Sequence, residues 1–353
     1  MKLWFAIPGD LNARTGGYGY DRMVIAELRA LGHEVEVLHW EDDFPMPDLG
    51  SLAQAHESLR AIPDGGSVLI DGLAFSAMPG VVAAEANRLN LVALVHHPLC
   101  LENGLTEADA AKLDATERAA LPHARRIIVT SPETAREVAA RFHVPSRCIT
   151  SVPPGCSWRR RAHIPERPRI LSVGSLIPRK GFDTLLAALA CLKDLDWHAR
   201  IVGSDSADPA LARTLRRQAE DAGIQDRVEF VGAVETVEYE MMTASIFALA
   251  SRYEGYGMAF AEAMAHGLPI VGCGVAAVSD LVPEEAGFLV PPDNPDAFAG
   301  ALRRLIESGE LLSKFSDGAW KAGQSLPTWS DAAKTIVASI ETARHEDRIG
   351  HIA

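Results

Sequence analysis

The chain of 353 residues lacks the features that mark membrane-spanning, secreted and nucleic-acid-binding proteins. It contains no run of about 18 apolar residues, the length that spans a bilayer. Its first apolar stretch ends at Pro8, too early for the core of a signal peptide, so we expect a cytoplasmic protein. The net charge of −13 provides no basic excess to hold a phosphate backbone, so we expect no nucleic-acid partner.

Cysteine is scarce and shows no pairing pattern. The five cysteines are odd in number, scattered along the chain and without a C-x-x-C pair. This pattern argues against a disulfide framework and against a structural zinc site. We therefore expect reduced thiols, most of them buried.

The length and the order of apolar runs predict two domains of one class. A chain of this length exceeds a comfortable single core. Short apolar runs of strand length alternate with helical patterns, which indicates an α/β fold of parallel sheets covered by helices on both faces. Ligands of such doubly wound sheets bind at the carboxyl ends of the strands. The alternation breaks between residues 153 and 168, which we interpret as a linker between domains 1–165 and 166–328.

The linker carries a run of three arginines at residues 159–161. Solvated surface is the simpler interpretation of this run. Contact with anionic lipid headgroups is the alternative, and it would place the protein at the inner face of a membrane.

Two loops of the first domain follow predicted strands. The glycines of Gly16-Gly17-x-Gly19 lie between a strand and a helix, as in many phosphate cradles, but lack the G-x-G-x-x-G spacing, so a plain turn is an equal alternative. His96 and His97 follow a buried strand. No nearby Asp, Glu or Cys completes a metal site, so we expect either substrate contact or a structural loop there.

In the second domain, a turn with glycine at both ends follows the strand at residues 169–173. The turn carries Arg179 and Lys180. Adjacent cations at a strand end suit a diphosphate, because arginine offers a planar fork of donors and lysine a point charge. A surface turn whose charges only add solubility is the alternative.

The stretch from residue 251 to residue 271 has the most informative pattern. It predicts a strand, a glycine turn and a helix, with Glu254 in the turn, Gly257 at the helix start and Glu262 inside the helix. The free amides of such a helix start bind anions. The two carboxylates, about 12 Å apart at about 1.5 Å per residue, suit hydroxyl groups at opposite ends of a bulky anionic ligand such as a nucleotide-sugar.

These elements, in this order, resemble the family-4 retaining glycosyltransferases. The likeness rests on the Gly-Gly loop, the histidine after the fourth strand, the Gly174–Gly181 turn and the pattern Glu254-x7-Glu262. It implies the GT-B fold, in which two doubly wound Rossmann-like domains face each other across a cleft. It also implies a last helix, within residues 329–353, that crosses back to pack on the first domain.

The resemblance implies a role for each matching residue. Glu262 would accept hydrogen bonds from the ribose and Glu254 from the transferred sugar, while Lys180 and Arg179 would hold the diphosphate. His96 would lie near the reacting sugar. The remaining implied donor contacts are made by the glycine loops, the base-lining segment and the amides before the helix: Gly16, Gly17, Ser175, Val231, Gly232, Gly255, Tyr256, Gly257 and Met258.

Two positions depart from the family pattern. Ser175 stands where many members have a diphosphate-binding arginine, which Arg179 would replace. Residues 272–280 depart from the usual glycine pair and following glutamate.

The implied function is retaining, metal-independent transfer of a sugar from a UDP-, GDP- or ADP-sugar to a hydroxyl of a glycan, lipid or small molecule. No separate cofactor and no metal ligand is expected. The alternatives are a nucleotide-sugar epimerase of the same architecture and a non-catalytic nucleotide-sugar binder.

Overall fold

The computed structural model describes residues 1–102, 104–156, 159–163, 165 and 167–351. The chain folds as two compact units, Met1–Gly155 with Pro327–Ala353, and Cys156–Leu326. The sequence placed this division later, after residue 165. The difference arises because residues of the predicted linker are already hydrogen-bonded to the second unit. Ala162 N donates to His266 O at 2.8 Å and His163 N to Met242 O at 3.0 Å. Ser157, Trp158, Ile164 and Glu166 of the predicted linker lie outside the described residues.

The first unit is built on a parallel six-stranded sheet with strand order β2-β1-β3-β4-β5-β6. Strands β3, β4 and β5 are buried at every position, as expected of central parallel strands covered on both faces. The strands are β1 (Lys2–Pro8), β2 (Glu34–Trp40), β3 (Ser67–Asp71), β4 (Asn90–Val95), β5 (Arg126–Val129) and β6 (Ile149–Ser151). The helices are α1 (Gly16–Ala30), α2 (Leu49–Arg60), α3 (Gly72–Phe75), α4 (Pro79–Glu85), α5 (Glu107–Ala120) and α6 (Pro132–Phe142).

The second unit repeats this plan with strand order β12-β11-β10-β7-β8-β9, again parallel. Its strands are β7 (Arg169–Val173), β8 (His198–Val202), β9 (Val228–Gly232), β10 (Ile246–Leu249), β11 (Ile270–Cys273) and β12 (Gly287–Val290). Its helices are α7 (Phe182–Ala190), α8 (Pro209–Asp221), α9 (Glu238–Met242), α10 (Met258–Ala265), α11 (Ala276–Leu281), α12 (Pro295–Glu307) and α13 (Gly309–Ser325).

The last long helix, α14 (Trp329–Ala343), belongs to the first unit although it follows the second in sequence. It begins with a capping box in which Thr328 and Asp331 exchange side-chain and main-chain hydrogen bonds. Its buried face packs on α1, β4 and β5, and Trp329 lies edge-on to Tyr20 of α1. The return of the C-terminal helix to the first domain is therefore confirmed.

All five cysteines are free, and only Cys191 is exposed. Within the described part of the chain, no helix is long and apolar enough to cross a membrane.

Gly155 closes the first unit against the start of α14. A Cβ atom at this position would overlap the main-chain nitrogen and Cα of Trp329, and main-chain atoms cannot yield as a flexible side chain can. We expect Gly155→Ala to lower the free energy of unfolding by about 1–3 kcal/mol, the usual cost of overpacking. Thermal and urea unfolding measure this. Gly80→Ala in α4, where a Cβ meets no atom within 4 Å, is the matched control and should not destabilise. Equal stability of the two variants would contradict the packing described for α14.

Candidate active site

In the second unit, the turn after β7 lies against the loop after β10. These strands are neighbours in the sheet, so their carboxyl ends meet although the two segments are 74 residues apart in sequence. Lys180 Nζ lies 2.7 Å from Glu254 Oε1, and Ser251 Oγ donates to the same oxygen at 2.6 Å. Arg179 Nη1 donates to Tyr253 O at 3.0 Å and lies 3.6 Å from Glu254 Oε2. Four residues around Glu254 thus form one polar cluster.

The pKa of Glu254 is held below its usual range within this cluster. Burial acts first and raises the pKa, but the charges of Lys180 and Arg179 and the hydrogen bonds from Lys180 and Ser251 outweigh it. Glu254 is therefore an ionised acceptor at neutral pH. The sequence assigned Lys180 to a diphosphate and Glu254 to a sugar as separate contacts, whereas here the two side chains contact each other.

Main-chain contacts keep the two loops together. Gly181, at φ 63°, lies so close to Ala250 O that a Cβ would overlap that oxygen, so this turn position requires glycine. Arg252 N donates to Arg179 O at 2.8 Å, and the Arg252 guanidinium pairs with Asp183 at 2.7 Å. The sequence assigned no role to Ser251, which lies three residues before Glu254, or to Arg252 and Asp183, which the strand order brings together.

The glycine-lined ends of β7, β8 and β9 also converge. The Lys180 side chain lies over Gly174, where a Cβ would stand 3.3 Å from its methylenes. Gly203 packs against the main chain of Gly174, and its amide donates to Gly232 O at 2.9 Å. The predicted base-lining segment at Val231 and Gly232 therefore lies at the same edge of the sheet as Ser175.

Helix α10 begins where the sequence placed it. Gly257 is its N-cap at φ 96°, a conformation that favours glycine, and no side chain caps the helix there. Tyr256 is buried, and burial raises the pKa of its hydroxyl. The predicted main-chain contacts at Gly255, Tyr256 and Met258 flank this helix start.

Glu262, on α10, differs from Glu254 in having no compensating charge. Among the described residues, no hydrogen bond or ion pair reaches its carboxylate. Burial alone raises the pKa of Glu262 to about 7. The group is half-ionised near neutral pH and has acceptor capacity that a ligand can use.

In the first unit, His96 follows β4 and lies against two buried carboxylates. Its Nε2 is 3.4 Å from Asp21 Oδ1 and 3.4 Å from Asp71 Oδ2. The side chains of Asp21 and Asp71 are 0% and 2% exposed, compared with 20% for His96. Gly17 of the predicted glycine loop packs on the ring, where a Cβ would be 3.4 Å from Cδ2, and Gly16 forms the exposed start of α1. His97 instead pairs with Glu102 at 2.8 Å.

The sequence inference that no nearby Asp, Glu or Cys could complete a ligand set with the histidines was wrong, because Asp21 and Asp71 lie beside His96. It considered only neighbours in sequence, whereas Asp71 ends β3, beside β4 in the sheet, and Asp21 lies one helical turn after Gly17. One ligand atom from each of Asp21, Asp71 and His96 lies within 4.8 Å of the others, and within the described ranges no other group of three shows this spacing. Spacing alone does not identify a metal site, since two buried carboxylates can also be compensated by a protonated side chain or by a proton.

The Lys180–Glu254 contact can be tested without any ligand. We expect Lys180→Met and Glu254→Gln each to destabilise the chain, because each leaves a buried partner uncompensated. The double variant should lose less stability than the sum of the two, with a coupling energy of about 1–3 kcal/mol by urea unfolding. Additive effects within about 0.3 kcal/mol would show that the two side chains do not interact.

Two family models match this chain. Residues 67–157 match Glycosyltransferase Family 4, and residues 167–308 match Glycosyl transferases group 1. A D-inositol 3-phosphate glycosyltransferase of Jonesia denitrificans is 30% identical over 188 residues, which are 51% of this chain and 44% of that protein. The chain spans less than half the length of the first curated relatives it matches.

Solved structures show the same architecture along almost the whole chain. Sucrose-phosphate synthase from Thermosynechococcus elongatus has a TM-score of 0.80 at 21% identity and covers 97% of this chain and 98% of its own. HepE of Anabaena in complex with UDP-glucose has a TM-score of 0.78 at 16% identity and covers 97% of this chain and 100% of its own. These similarities confirm the predicted GT-B fold.

Proposed function

The chain belongs to the family-4 glycosyltransferases, and on that premise we propose that it transfers a sugar from a nucleotide-diphosphate sugar to an acceptor hydroxyl. The observation that carries this proposal is the buried cluster of Lys180, Arg179 and Glu254 at the strand ends of the second unit. It places two cations and an ionised acceptor side by side, as a diphosphate attached to a sugar requires. A donor of this class is also supported by HepE, which shares the fold and was solved in complex with UDP-glucose.

Lys180 and Arg179 would act on the leaving group. Breaking the bond between the anomeric carbon and the phosphate builds negative charge on the diphosphate, and donors already aimed at that charge stabilise the transition state. In this chain both cations are fixed before the donor binds, Lys180 by Glu254 and Arg179 by the Tyr253 carbonyl. Arg179 thereby takes the role of the arginine that many family members have at the position of Ser175.

Glu254 would orient the transferred sugar. Its Oε1 accepts hydrogen bonds from Lys180 and Ser251, whereas Oε2 lies 3.6 Å from Arg179, beyond hydrogen-bond distance, and is the oxygen that we assign to a sugar hydroxyl. We assign Glu254 this role and not that of a nucleophile, because the surrounding cations stabilise its charge. Retention would then follow from attack on the same face, with a phosphate oxygen taking the acceptor's proton. A trapped glycosyl-Glu254 intermediate would refute this assignment.

Glu262 would bind the ribose. Two adjacent ribose hydroxyls would donate hydrogen bonds to its partly buried carboxylate, and Val231 and Gly232 would line the base. The transfer would need no metal on the diphosphate, since the chain's one Asp-x-Asp, Asp194-Leu-Asp196, is paired with other groups. Asp194 bonds to Arg303 at 2.7 Å and Asp196 to Arg167 at 2.8 Å.

The acceptor class remains a glycan, a lipid or a small molecule. The family matches favour transfer over the epimerase alternative.

A thermal-shift panel of UDP-, GDP- and ADP-sugars should identify one donor that raises the melting temperature. With that donor we expect sugar transfer or slow donor hydrolysis.

Lys180→Met should lower kcat by about 10²–10³-fold, the loss typical of one charge-stabilising donor. Glu262→Gln should weaken donor binding by roughly 10- to 100-fold, the value of hydrogen bonds to a charged group. Glu220→Gln, an exposed position on α8, is the control and should leave both unchanged.

The same reaction tests the stereochemistry. NMR of the product should show the anomeric configuration of the donor sugar. Inversion would contradict the retaining mechanism, and the absence of turnover despite tight binding would favour the non-catalytic binder.

A further inference from the structure

The first unit buries two carboxylates, Asp21 and Asp71, beside one ionisable ring. In the described part of the chain, no lysine or arginine pairs with either of them; His96 lies within 4 Å of both, and the two carboxylates also interact with each other. Asp71 Oδ1 accepts from Leu73 N at 2.7 Å, whereas both Asp21 oxygens are buried without a hydrogen bond of normal geometry. An isolated buried carboxylate is too costly to persist. The cluster therefore requires a cation or a proton.

Every other nearby group is engaged or uncharged. On α1, the Tyr18 hydroxyl donates to Pro8 O at 2.8 Å, and the Tyr20 hydroxyl to Val152 O at 3.0 Å. Arg22, next to Asp21 in sequence, donates instead to the carbonyl of Ala13 at 2.9 Å. After β4, His97 is paired with Glu102. His96 is therefore the group placed to compensate the two carboxylates.

The His96 ring is held in one orientation. Tyr20 contacts it edge-on, with ring centroids 5.3 Å apart at 81°, and Gly17 packs against Cδ2. Thr130 Oγ1 donates to the His96 main-chain oxygen at 3.1 Å. Nε2 is buried 3.4 Å from an oxygen of each carboxylate without a hydrogen bond of normal geometry, yet a fifth of the side chain is exposed. One edge of the imidazole thus faces the interior while another part reaches the surface.

We propose that Asp21 and Asp71 are positioning residues that keep His96 as an imidazolium, with Nε2 lying 3.4 Å from an oxygen of each buried carboxylate and the exposed part of the ring presented to substrate. His96 then offers a fixed positive charge and cannot act as a general base at neutral pH. The identity of the substrate that His96 faces rests on the proposed function, whereas the protonation state of His96 does not.

The electrostatics of the cluster agree with this assignment. Burial alone lowers the pKa of His96, but the two carboxylates outweigh burial and raise the pKa to about 10. Burial raises the pKa of Asp21, while the charge of His96 opposes that shift, so the carboxylate and the imidazole titrate as a coupled pair.

NMR of the full chain with isotope-labelled histidine tests the proposal. Imidazole nitrogen shifts report protonation, and the His96 signal is assigned by its loss in His96→Gln. We expect His96 to remain protonated at pH 8, where an ordinary histidine of pKa about 6.5 is neutral. Asp21→Asn and Asp71→Asn should each lower the midpoint by about one pH unit or more, and the double variant should bring it to about 6.5 or below.

Glu102→Gln is the matched control, because it removes the carboxylate of the neighbouring His97 and should leave the His96 midpoint unchanged. Circular dichroism and thermal unfolding check that each variant is folded. A neutral His96 at pH 8, or a midpoint unchanged in folded Asp21→Asn and Asp71→Asn proteins, would overturn the proposal. The proposal would also be overturned if the purified protein held one equivalent of metal that these variants lost. The metal, and not a protonated His96, would then compensate the two carboxylates.

This measurement is independent of turnover. If no donor is processed but His96 titrates as described, the proposed function fails and the positioning role stands. If transfer occurs but His96 is neutral, the positioning role fails and the proposed function stands. With an active donor, Asp71→Asn should lower kcat more than it raises the donor KM, since it disturbs a group that acts on the bound sugar and not the nucleotide contacts of the second unit.

Discussion

A carboxylate removed from water must be matched by a cation, by hydrogen-bond donors or by a proton, and this constraint accounts for the candidate site residues of each unit. Glu254 is matched by Lys180, Arg179 and Ser251. Asp21 and Asp71 share His96. Glu262 is only partly buried, pairs with no group in the described part of the chain, and has a pKa raised by burial. In the first two arrangements the chain itself supplies the partners of the carboxylates, whereas the carboxylate of Glu262 has no such partner among the described residues.

The parallel sheets explain why these groups gather at a few points. Parallel strands all end at the same edge, so the loops that follow neighbouring strands meet whatever their distance in sequence. Glycine allows these loops to pack closely: Gly181 against Ala250, Gly203 against Gly174, and Gly17 against the His96 ring. The short strands and their glycine ends therefore serve both packing and the approach of a ligand to the main chain.

The sequence predicted the elements better than their partners. Alternating strands and helices, the start of α10 at Gly257 and the return of α14 to the first unit follow from local patterns and the family resemblance. The Lys180–Glu254 contact does not, because it depends on β10 lying beside β7. Asp71 was missed for the same reason, since only the adjacency of β3 and β4 brings it to His96. Local periodicity predicts strands but carries no information on strand order.

The direct test of this account is calorimetric titration of the selected donor sugar at pH 6 and pH 8 in buffers of different ionisation enthalpy. Ribose hydroxyls would stabilise the ionised form of Glu262 and so release its proton on binding. With a pKa of about 7 in the free protein, most of one proton should be released at pH 6 and almost none at pH 8, and affinity should fall as the pH drops below 7. Glu262→Gln should abolish both effects. Binding with no proton release at pH 6, or with release that persists in Glu262→Gln, would contradict the assignment of Glu262 to the donor.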